Sequence, residues 1–450
     1  MENSTICALA SGMGGAVALV RLSGPQALSI LKHLVCAERE FEPRKQIFCT
    51  IYDGKTILDK ALVTYFQAPH SFTGEEVVEF ALHASPYIKG RLLELLCQLG
   101  AVPAKRGEFS QRAFLNGKMD LLEAQGLCDL IAAGNKSAHD LAMGSLDGKL
   151  SERVNELKQQ LSTLLAQIEV RLDDVDEEMT PLTDEFIRAE LTNTLSRMRA
   201  LTDTFSVGRL IKDGLKVAIV GVPNSGKSSL LNALLGFDRA IVADACGTTR
   251  DTVEETLEID GQKVILTDTA GIRDHALDPA EQEGMRRSRC AMEKANVILF
   301  VQDTSRKPSA EELALFEEVK QQKKRIYIIR NKSDKSTSIH ELPEEELFTA
   351  LAVSCKTGEG LDSLKKCLIG ELDHAQTADG LMISNLRHYE SLLRAQTELE
   401  SALLQLPEDA GGEIYAEHIR RALMYLKDLI GEVTPDDILG IIFSQFCMGK

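Results

Sequence analysis

The segment 221–228, of sequence G-V-P-N-S-G-K-S, constrains the fold of this chain more than any other feature. An apolar run, 216–220, precedes it, and a helix-forming run, 229–235, follows it. The order is therefore buried strand, glycine-containing loop and helix start, which is the context that the phosphate-loop pattern G-x-x-x-x-G-K-[ST] requires. The pattern predicts a nucleotide-binding domain built on a parallel sheet.

The residue types of this loop suit phosphate binding. Glycine lets successive main-chain N–H groups come close to phosphate oxygens at a helix N-terminus. We expect Lys227 to reach the β- and γ-phosphates and the Ser228 hydroxyl to bind Mg²⁺. The loop residues predicted to bind the nucleotide are Asn224, Ser225, Gly226, Lys227, Ser228 and Ser229.

Three further motifs follow later strand-like runs. The first, D-T-A-G (Asp268, Thr269, Ala270 and Gly271), can hold Mg²⁺ through water and bring an N–H to the γ-phosphate. In the second, N-K-S-D (Asn331, Lys332, Ser333 and Asp334), the Asp334 carboxylate can accept hydrogen bonds from the ring N–H and the exocyclic amine of guanine. The third, Ser354, Cys355 and Lys356, would back the base through main-chain contacts. Together these motifs, each after its own strand, predict a GTPase.

The predicted switch region differs from that of many GTPases at the position that orients the attacking water. The run 247–251, G-T-T-R-D, lies where a nucleotide-sensing switch belongs, with Thr249 as the second Mg²⁺ hydroxyl. Ile272 follows D-T-A-G at the position where many GTPases have a glutamine that orients the attacking water. Another group must do this work, and the residues alone leave four candidates open: Asp274, Asp278, Glu281 and Glu283.

The chain is long enough for about three domains. Residues 1–118 are predicted to be mixed α/β, and residues 119–212 to be helical, because apolar residues recur at three- and four-residue steps between Leu150 and Leu172. Strands and helices alternate over 213–374, and helical patterning returns over 375–450. The predicted fold class is multidomain α/β plus all-α. A GTPase domain with a parallel-rich sheet is inserted between two helical halves that pack together, and an α/β domain precedes them.

The net charge and the cysteine content indicate which partners and which cellular compartment to expect. The net charge is −17, so no global basic field marks a nucleic-acid-binding protein, and any RNA must bind a local patch or come through another subunit. The ten cysteines have no metal-binding spacing and suit reduced thiols in the cytoplasm. No signal peptide or membrane-length apolar run is visible, so we expect a cytoplasmic protein without a membrane partner.

Three signatures together resemble the MnmE/TrmE family of tRNA-modification GTPases over essentially the whole chain. The first is 107–121, G-E-F-S-Q-R-A-F-L-N-G-K-M-D-L. The second is the GTPase set, with Pro223 and Asn224 inside the phosphate loop and G-T-T-R-D in the switch. The third is the C-terminal segment, in which 431–434, G-E-V-T, lead to 442–450, I-F-S-Q-F-C-M-G-K.

The resemblance implies an N-terminal domain that dimerises and binds folate, a helical domain and an inserted G domain, in a homodimer. Proteins of this family work with a flavoprotein partner, MnmG, which carries FAD. Together they add an aminomethyl or carboxymethylaminomethyl group at C5 of the tRNA wobble uridine, with a tetrahydrofolate derivative as one-carbon donor. GTP hydrolysis drives the cycle, and K⁺ supports pairing of the G domains.

The resemblance also assigns roles to particular residues. Glu281 aligns as the carboxylate that positions water, and Cys447 as the terminal cysteine required for modification. The switch-loop residues expected at the nucleotide are Ala243, Asp244, Ala245, Cys246, Gly247, Thr248 and Thr249. K⁺ would be held by Asn224, Ala243, Ala245 and Thr248, and Mg²⁺ by Ser228 and Thr249. Contacts to a 5-formyltetrahydrofolate-like cofactor fall on Arg21, Glu79, Lys118 and Lys450.

Two other functions remain open at this point. A ribosome-assembly GTPase would share the GTPase motifs, but its flanking regions would need a basic stretch that this chain lacks, and the C-terminal Cys-x-Gly-Lys would be unexplained. A folate-dependent one-carbon transferase regulated by its G domain differs mainly in where catalysis occurs. For Cys447, a nucleophilic role and an inert thiol are both compatible with the sequence.

Overall fold

The computed structural model describes residues 4–12, 14–35, 40–172, 182–237, 254–268, 289–335, 340–371, 381–407, 412–447 and 449, apart from the side chains of Leu172, Phe237, Asp268 and Asp436. The chain divides into two compact units. One unit comprises Met1–Ile131, Met143–Thr194 and Arg394–Lys450, and the other comprises Ala132–Ala142 and Leu195–Leu393. The domain boundaries expected from the sequence remain predictions.

The first unit begins with a six-stranded sheet of order β3-β4-β5-β2-β1-β6. Its pairs are antiparallel except β1 with β6, which is parallel. The strands are β1 (Ile6–Leu9), β2 (Val17–Ser23), β3 (Gln46–Asp53), β4 (Thr56–Phe66), β5 (Val77–His83) and β6 (Val102–Pro103), and the helices α1 (Ala27–Leu34) and α2 (Pro86–Gln98) accompany them.

One face of this sheet forms the core of the region. Alternate residues of the strands, such as Val20, Val63 and Phe80, are buried in one cluster with the apolar faces of α1 and α2. The residues between them point to the opposite face, where Phe48 is 64% exposed and Leu62 is 41% exposed. This second face is open at β3 and β4 but covered at β1, where Ile6 and Ala8 are buried with Phe109.

Helices follow the first sheet and return at the end of the chain. They are α3 (Glu108–Leu115), α4 (Leu121–Ala132), α5 (Lys136–Leu146), α6 (Lys149–Leu172), α7 (Asp184–Thr202) and α8 (Phe205–Asp213), then α12 (Leu386–Gln405), α13 (Glu413–Ile430) and α14 (Asp436–Ser444). The apolar stripe predicted over α6 is buried from Leu150 to Ile168. The α6 and α13 helices pack along each other, with Arg420 Nη2 2.8 Å from Glu169 Oε1. Helices from before and after the nucleotide domain therefore pack together, as predicted.

The second sheet has the order β12-β11-β10-β7-β9-β8. All neighbouring strands are parallel except β8, which pairs antiparallel with β9 at the edge. Its elements are β7 (Leu215–Val220), α9 (Lys227–Phe237), β8 (Glu254–Ile259), β9 (Gln262–Asp268), β10 (Val297–Asp303), α10 (Ala310–Gln321), β11 (Arg325–Asn331), β12 (Thr349–Val353) and α11 (Leu361–Gly370). The parallel-rich sheet that the alternating pattern predicted is confirmed.

The strand β7 is buried on both sides, as expected for the middle of a parallel sheet. Val217 and Ile219 belong to one core cluster, whereas Ala218 and Val220 belong to the cluster on the other face. The strands β7, β9, β10, β11 and β12, with the helices between them, confirm the alternation predicted over this region. The edge strand β8 was not predicted, because its sequence E-E-T-L-E-I is mostly polar. Among the described helices, none combines the length and the apolar character needed to cross a bilayer.

Candidate functional site: a phosphate loop beside a base-recognition motif

The phosphate loop leaves β7 at Val220 and enters α9 at Lys227. Two of its residues have left-handed backbone conformations, Asn224 with φ 64° and Gly226 with φ 101°. A Cβ at Gly221 would lie 2.5 Å from the Val301 carbonyl oxygen, and one at Gly226 would overlap the side chain of Asn331. Both positions therefore require glycine, and the loop lies directly against the ends of the neighbouring strands.

The loop's polar groups lie around one concave turn. Lys227 Nζ donates to the carbonyl oxygens of Gly221 at 2.8 Å and Val222 at 3.0 Å. Ser225 is fully buried, and its Oγ has no hydrogen-bond partner among the described residues. Ser228 and Ser229 occupy the first turn of α9, whose N-terminal N–H groups favour an anion. This arrangement suits the phosphates of a nucleotide.

The motif at the end of β11 is tied to the phosphate loop. Asn331 is 2% exposed, and its Nδ2 donates to the Ser225 carbonyl oxygen at 3.0 Å. Its Oδ1 accepts from the Lys332 main-chain N–H at 2.8 Å and lies 3.2 Å from the Cys355 Sγ. Burial raises the pKa of the Cys355 thiol. Asn331 therefore connects the phosphate loop, its own loop and the segment after β12.

Asp334 lies beside the third predicted motif. Ser354 Oγ donates to Asp334 Oδ1 at 2.8 Å, and the Ser333 main-chain N–H donates to the Val353 carbonyl oxygen at 3.3 Å. Ser354 is buried and Lys356 is exposed. A carboxylate held in this position can receive the two donors of a guanine edge.

Asp303, at the end of β10, is a polar residue of this site that the sequence analysis did not identify. Its Oδ2 lies 2.6 Å from Lys332 Nζ, which also donates to the Asn224 carbonyl oxygen at 3.1 Å. Burial opposes its ionisation, but the hydrogen bonds from Lys332 and Ser305 prevail and hold the pKa of the Asp303 carboxyl below its ordinary value. A signal was present in the sequence, since Asp303 follows a buried strand next to β7.

Several predicted residues fall outside the described parts of the chain. Asp268 ends β9, where the register places it beside Ile219 of β7, but its side chain is not described. The predicted site residues Ala243, Asp244, Ala245, Cys246, Gly247, Thr248, Thr249, Thr269, Ala270, Gly271, Glu281 and Lys450 also lie outside the described residues.

A second cluster lies on the first sheet. Arg21 on β2 and Glu79 on β5 are cross-strand partners, with Arg21 Nη2 2.8 Å from Glu79 Oε1. The Arg21 guanidinium lies 5.1 Å from the ring centre of Phe72 and 5.7 Å from that of Phe109, and it donates to the Gly449 carbonyl oxygen at 3.4 Å. Lys118 Nζ donates to the Pro69 carbonyl oxygen at 3.0 Å.

The C-terminal segment docks on this first unit. Cys447 is exposed, and its carbonyl oxygen accepts from the Gly107 N–H at 3.4 Å, while Arg106 Nε donates to the Phe446 carbonyl oxygen at 3.2 Å. Gly449 has φ 86°, and a Cβ there would overlap the Leu9 carbonyl oxygen. These contacts bring Cys447 to the same unit as the Arg21–Glu79 pair.

Two family models and many curated relatives match the sequence of this chain. Residues 5–118 match the GTP-binding protein TrmE N-terminus, and residues 121–447 match the MnmE helical domain. The tRNA modification GTPase MnmE of Alkalilimnicola ehrlichii is 41% identical over 452 residues, covering 100% of both chains. That of Xanthomonas campestris pv. campestris strain B100 is 40% identical over 453 residues, covering 99% of both. Among solved structures, Aquifex aeolicus Era bound to GDP·AlF4⁻ is 28% identical over 40% of this chain and 65% of that chain, with a TM-score of 0.30. From its two domain matches and its full-length relatives, the chain belongs to the MnmE/TrmE family of tRNA modification GTPases.

Proposed function

We propose that this GTPase acts with a flavoprotein partner, MnmG, to add an aminomethyl or carboxymethylaminomethyl group at C5 of the wobble uridine of tRNA. A tetrahydrofolate derivative would donate the one-carbon unit, and FAD would be carried by the partner. The observation that carries the proposal is that one chain of this family contains two separate clusters of polar residues. One is the GTP site of Asn331 and Asp334, and the other is the Arg21–Glu79 cluster beside the C-terminal segment.

The chemistry of the Arg21–Glu79 cluster supports the folate assignment. Both side chains are largely buried, 14% and 21% exposed, so a ligand would meet charges that are already oriented. A carboxylate can accept from the N–H edge of a pterin, and basic groups suit the glutamate carboxylates of folate. Phe72 and Phe109 add aromatic surface beside the guanidinium. Lys118 and Lys450 would complete the set.

We assign Cys447 the part of a catalytic thiol in the modification reaction. Its side chain is exposed, while the main chain on either side of it is held by Arg106, Gly107 and Arg21. A solvent-accessible thiol on a fixed backbone is what a nucleophile requires, whereas an inert cysteine is usually buried.

In the G domain, we propose that K⁺ binds next to the phosphate loop. Asn224 has the left-handed conformation that asparagine tolerates better than most residues, and Lys332 holds its carbonyl group. Its side-chain oxygen, with Ala243, Ala245 and Thr248, would ligate K⁺ and offset charge that develops between the β- and γ-phosphates. Ser228 and Thr249 would hold Mg²⁺, and Glu281 would position the attacking water.

The open face of the first sheet supports a homodimer. An apolar row crosses four neighbouring strands, because the register places Phe48 opposite Leu62, Leu62 opposite Ala81 and Ala81 opposite Leu19. Exposed apolar surface of this kind is typical of an interaction site. The variant Phe48→Glu is expected to sediment as a monomer. Tyr87→Glu, on α2, is the control, since Tyr87 is 71% exposed but lies on the helical side. If the Phe48→Glu protein remains a dimer, the open face of the first sheet is not the dimer interface.

Mass spectrometry of wobble uridine in cells that lack this protein tests the main proposal. We expect loss of the C5 modification and its return when the wild-type chain is supplied. Unchanged modification in the deletion strain would overturn the proposal and leave the GTPase assignment standing. Reconstitution with and without the flavoprotein separates the alternatives, because activity of the isolated chain would favour a folate-dependent transferase.

A further inference from the structure

Asp303 is held at the junction of three strand ends. It is the last residue of β10, which lies between β7 and β11 in the sheet, and it is 5% exposed. Its Oδ1 accepts from the main-chain N–H of Ser305 at 3.0 Å and from the Ser305 Oγ at 2.6 Å. These two bonds direct its Oδ2 to Lys332 Nζ, 2.6 Å away.

Lys332 connects the two halves of the nucleotide site. Its ammonium group donates to the Asn224 carbonyl oxygen in the phosphate loop, while its main chain lies two residues before Asp334. Both Lys332 and Asn224 have left-handed conformations, with φ 62° and 64°. The position of the Lys332 ammonium therefore sets the spacing between the loop that receives phosphates and the carboxylate that receives the base.

A lysine side chain is flexible, so something must hold it in this place before the nucleotide arrives. A buried carboxylate with its own two hydrogen bonds does this, because a charge-assisted bond to an acceptor that is already oriented is strong and directional. The Arg306 guanidinium forms a longer ion pair with the same carboxylate, with its Nε 3.9 Å from Asp303 Oδ2. Its Nη2 lies 3.7 Å from Glu312 Oε2. Ordering the lysine in advance removes part of the entropy cost of binding.

We infer that Asp303 is a positioning residue of the GTP site. Through the Lys332 ammonium it fixes the distance between the phosphate loop and the base-recognition loop, and it thereby raises the affinity for guanine nucleotides without touching the base edge. The inference concerns nucleotide binding alone, so it stands or falls separately from the folate and tRNA chemistry proposed above.

The test is a binding measurement on the full-length protein. The fluorescent nucleotide mant-GDP is titrated against the wild type, Asp303→Asn, Lys332→Met and the double variant. Asp260→Asn is the matched control, because Asp260 is exposed in the β8–β9 turn and its φ of 49° suits asparagine. GTP and ITP, which lacks the exocyclic amine, are then compared by displacement of mant-GDP.

We expect Asp303→Asn to weaken mant-GDP binding on the order of tenfold, about the effect of one charge-assisted hydrogen bond. The double variant should bind mant-GDP as tightly as the single variant with the lower affinity. Both changes break the same Asp303–Lys332 contact, so their effects should not add. The GTP-to-ITP affinity ratio should stay at the wild-type value, since Asp334 alone reads the exocyclic amine. Asp303→Asn binding within twofold of wild type, additive losses in the double variant or a changed ratio would each overturn the inference.

A second variant keeps the test decisive if Asp303→Asn does not fold. Ser305→Ala removes one of the two hydrogen bonds that orient the carboxylate and leaves the charge in place. It should weaken mant-GDP binding by about two- to threefold, and this loss should vanish in the Lys332→Met background. An unchanged affinity in Ser305→Ala, or an equal loss with and without Lys332, would count against the inference.

Discussion

The Asn331 Nδ2 donates to the Ser225 carbonyl oxygen at 3.0 Å, so the predicted base-recognition motif and the predicted phosphate loop share a buried hydrogen bond. The donor and the acceptor are 106 positions apart in the chain. They meet because β7 and β11 are both neighbours of β10 in a parallel sheet, whose strands end at one edge. Contacts within the protein therefore connect the two predicted subsites.

Substituting Asn331 by alanine tests this connection. The change leaves the buried Ser225 carbonyl without its donor, which costs the folded protein roughly 1–3 kcal/mol. Because the same bond holds the phosphate loop in place, we expect nucleotide binding to weaken as well, by at most about 150-fold. Mant-GDP titration measures the loss. Asn232→Ala, at an exposed position of α9, is the matched control and should bind like the wild type. Equal affinities of the two variants would contradict a role for the Asn331–Ser225 bond.

The proposed K⁺ site predicts a cation-specific GTPase rate. Turnover should be much faster in KCl than in NaCl at equal ionic strength, because K⁺ would offset charge developing in the transition state. Asn224→Gly should remove this difference while GTP still binds. Glycine is the suitable replacement, since it accepts the φ of 64° that alanine would adopt only under strain. Equal rates of the wild type in both salts would contradict the cation role.

Cys447 can be tested independently of the GTP site. Cys447→Ser should abolish tRNA modification in the reconstituted system and leave GTP hydrolysis unchanged, because the thiol belongs to the other unit of the chain. The control is Cys290→Ser, which removes another exposed cysteine. Full modification activity in Cys447→Ser would favour the inert thiol.

The buried Glu312 carboxyl predicts how the stability of the folded protein depends on pH. It is fully buried in the first turn of α10, and neither carboxylate oxygen has a hydrogen-bond partner among the described residues. Burial raises the pKa of Glu312, and Arg306 offsets this only in part. An acid with a raised pKa in the folded state destabilises that state once the pH exceeds its unfolded value, about 4.3.

Glu312→Gln should therefore raise the melting temperature at pH 7, and the gain should disappear as the pH falls below the ordinary glutamate pKa. Thermal unfolding followed by circular dichroism between pH 4 and pH 8 measures the effect. Glu311→Gln, exposed in the same helical turn, controls for the loss of a charge near the helix N-terminus. A stabilisation that does not depend on pH would rule out the buried charge as its cause.

Local patterns explain why much of the nucleotide domain could be predicted. The glycine at 226 and the lysine at 227 are required by a single turn, and the apolar runs before each motif are required by burial on both faces of a sheet. The Asp303–Lys332 pair could not be predicted in the same way. A carboxylate at a strand end gives no sign of which of the neighbouring loops it will contact, since that depends on strand order.

The site on the first sheet depends even more on distant parts of the chain. The pairing of Arg21 with Glu79 follows from the register of β2 and β5, which no short motif encodes. The resemblance to a known family placed both residues in one site, and the structure adds Phe72, Phe109 and the Gly449 carbonyl around them. Phe72 has no distinguishing pattern in the sequence, and Phe109 lies in the signature 107–121 without any sign there of a contact with Arg21.

The contact between Arg21 and Gly449 joins residues that are 428 positions apart. A ribosome making this chain releases Arg21 and Glu79 early, and the whole nucleotide domain emerges before Gly449 is translated. The nucleotide domain can therefore fold and bind GTP while the site on the first sheet is still incomplete. Under the function proposed above, newly made chains acquire GTP binding first and the modification chemistry second. A translation product that stops short of Gly449 is then expected to turn over GTP without supporting the modification.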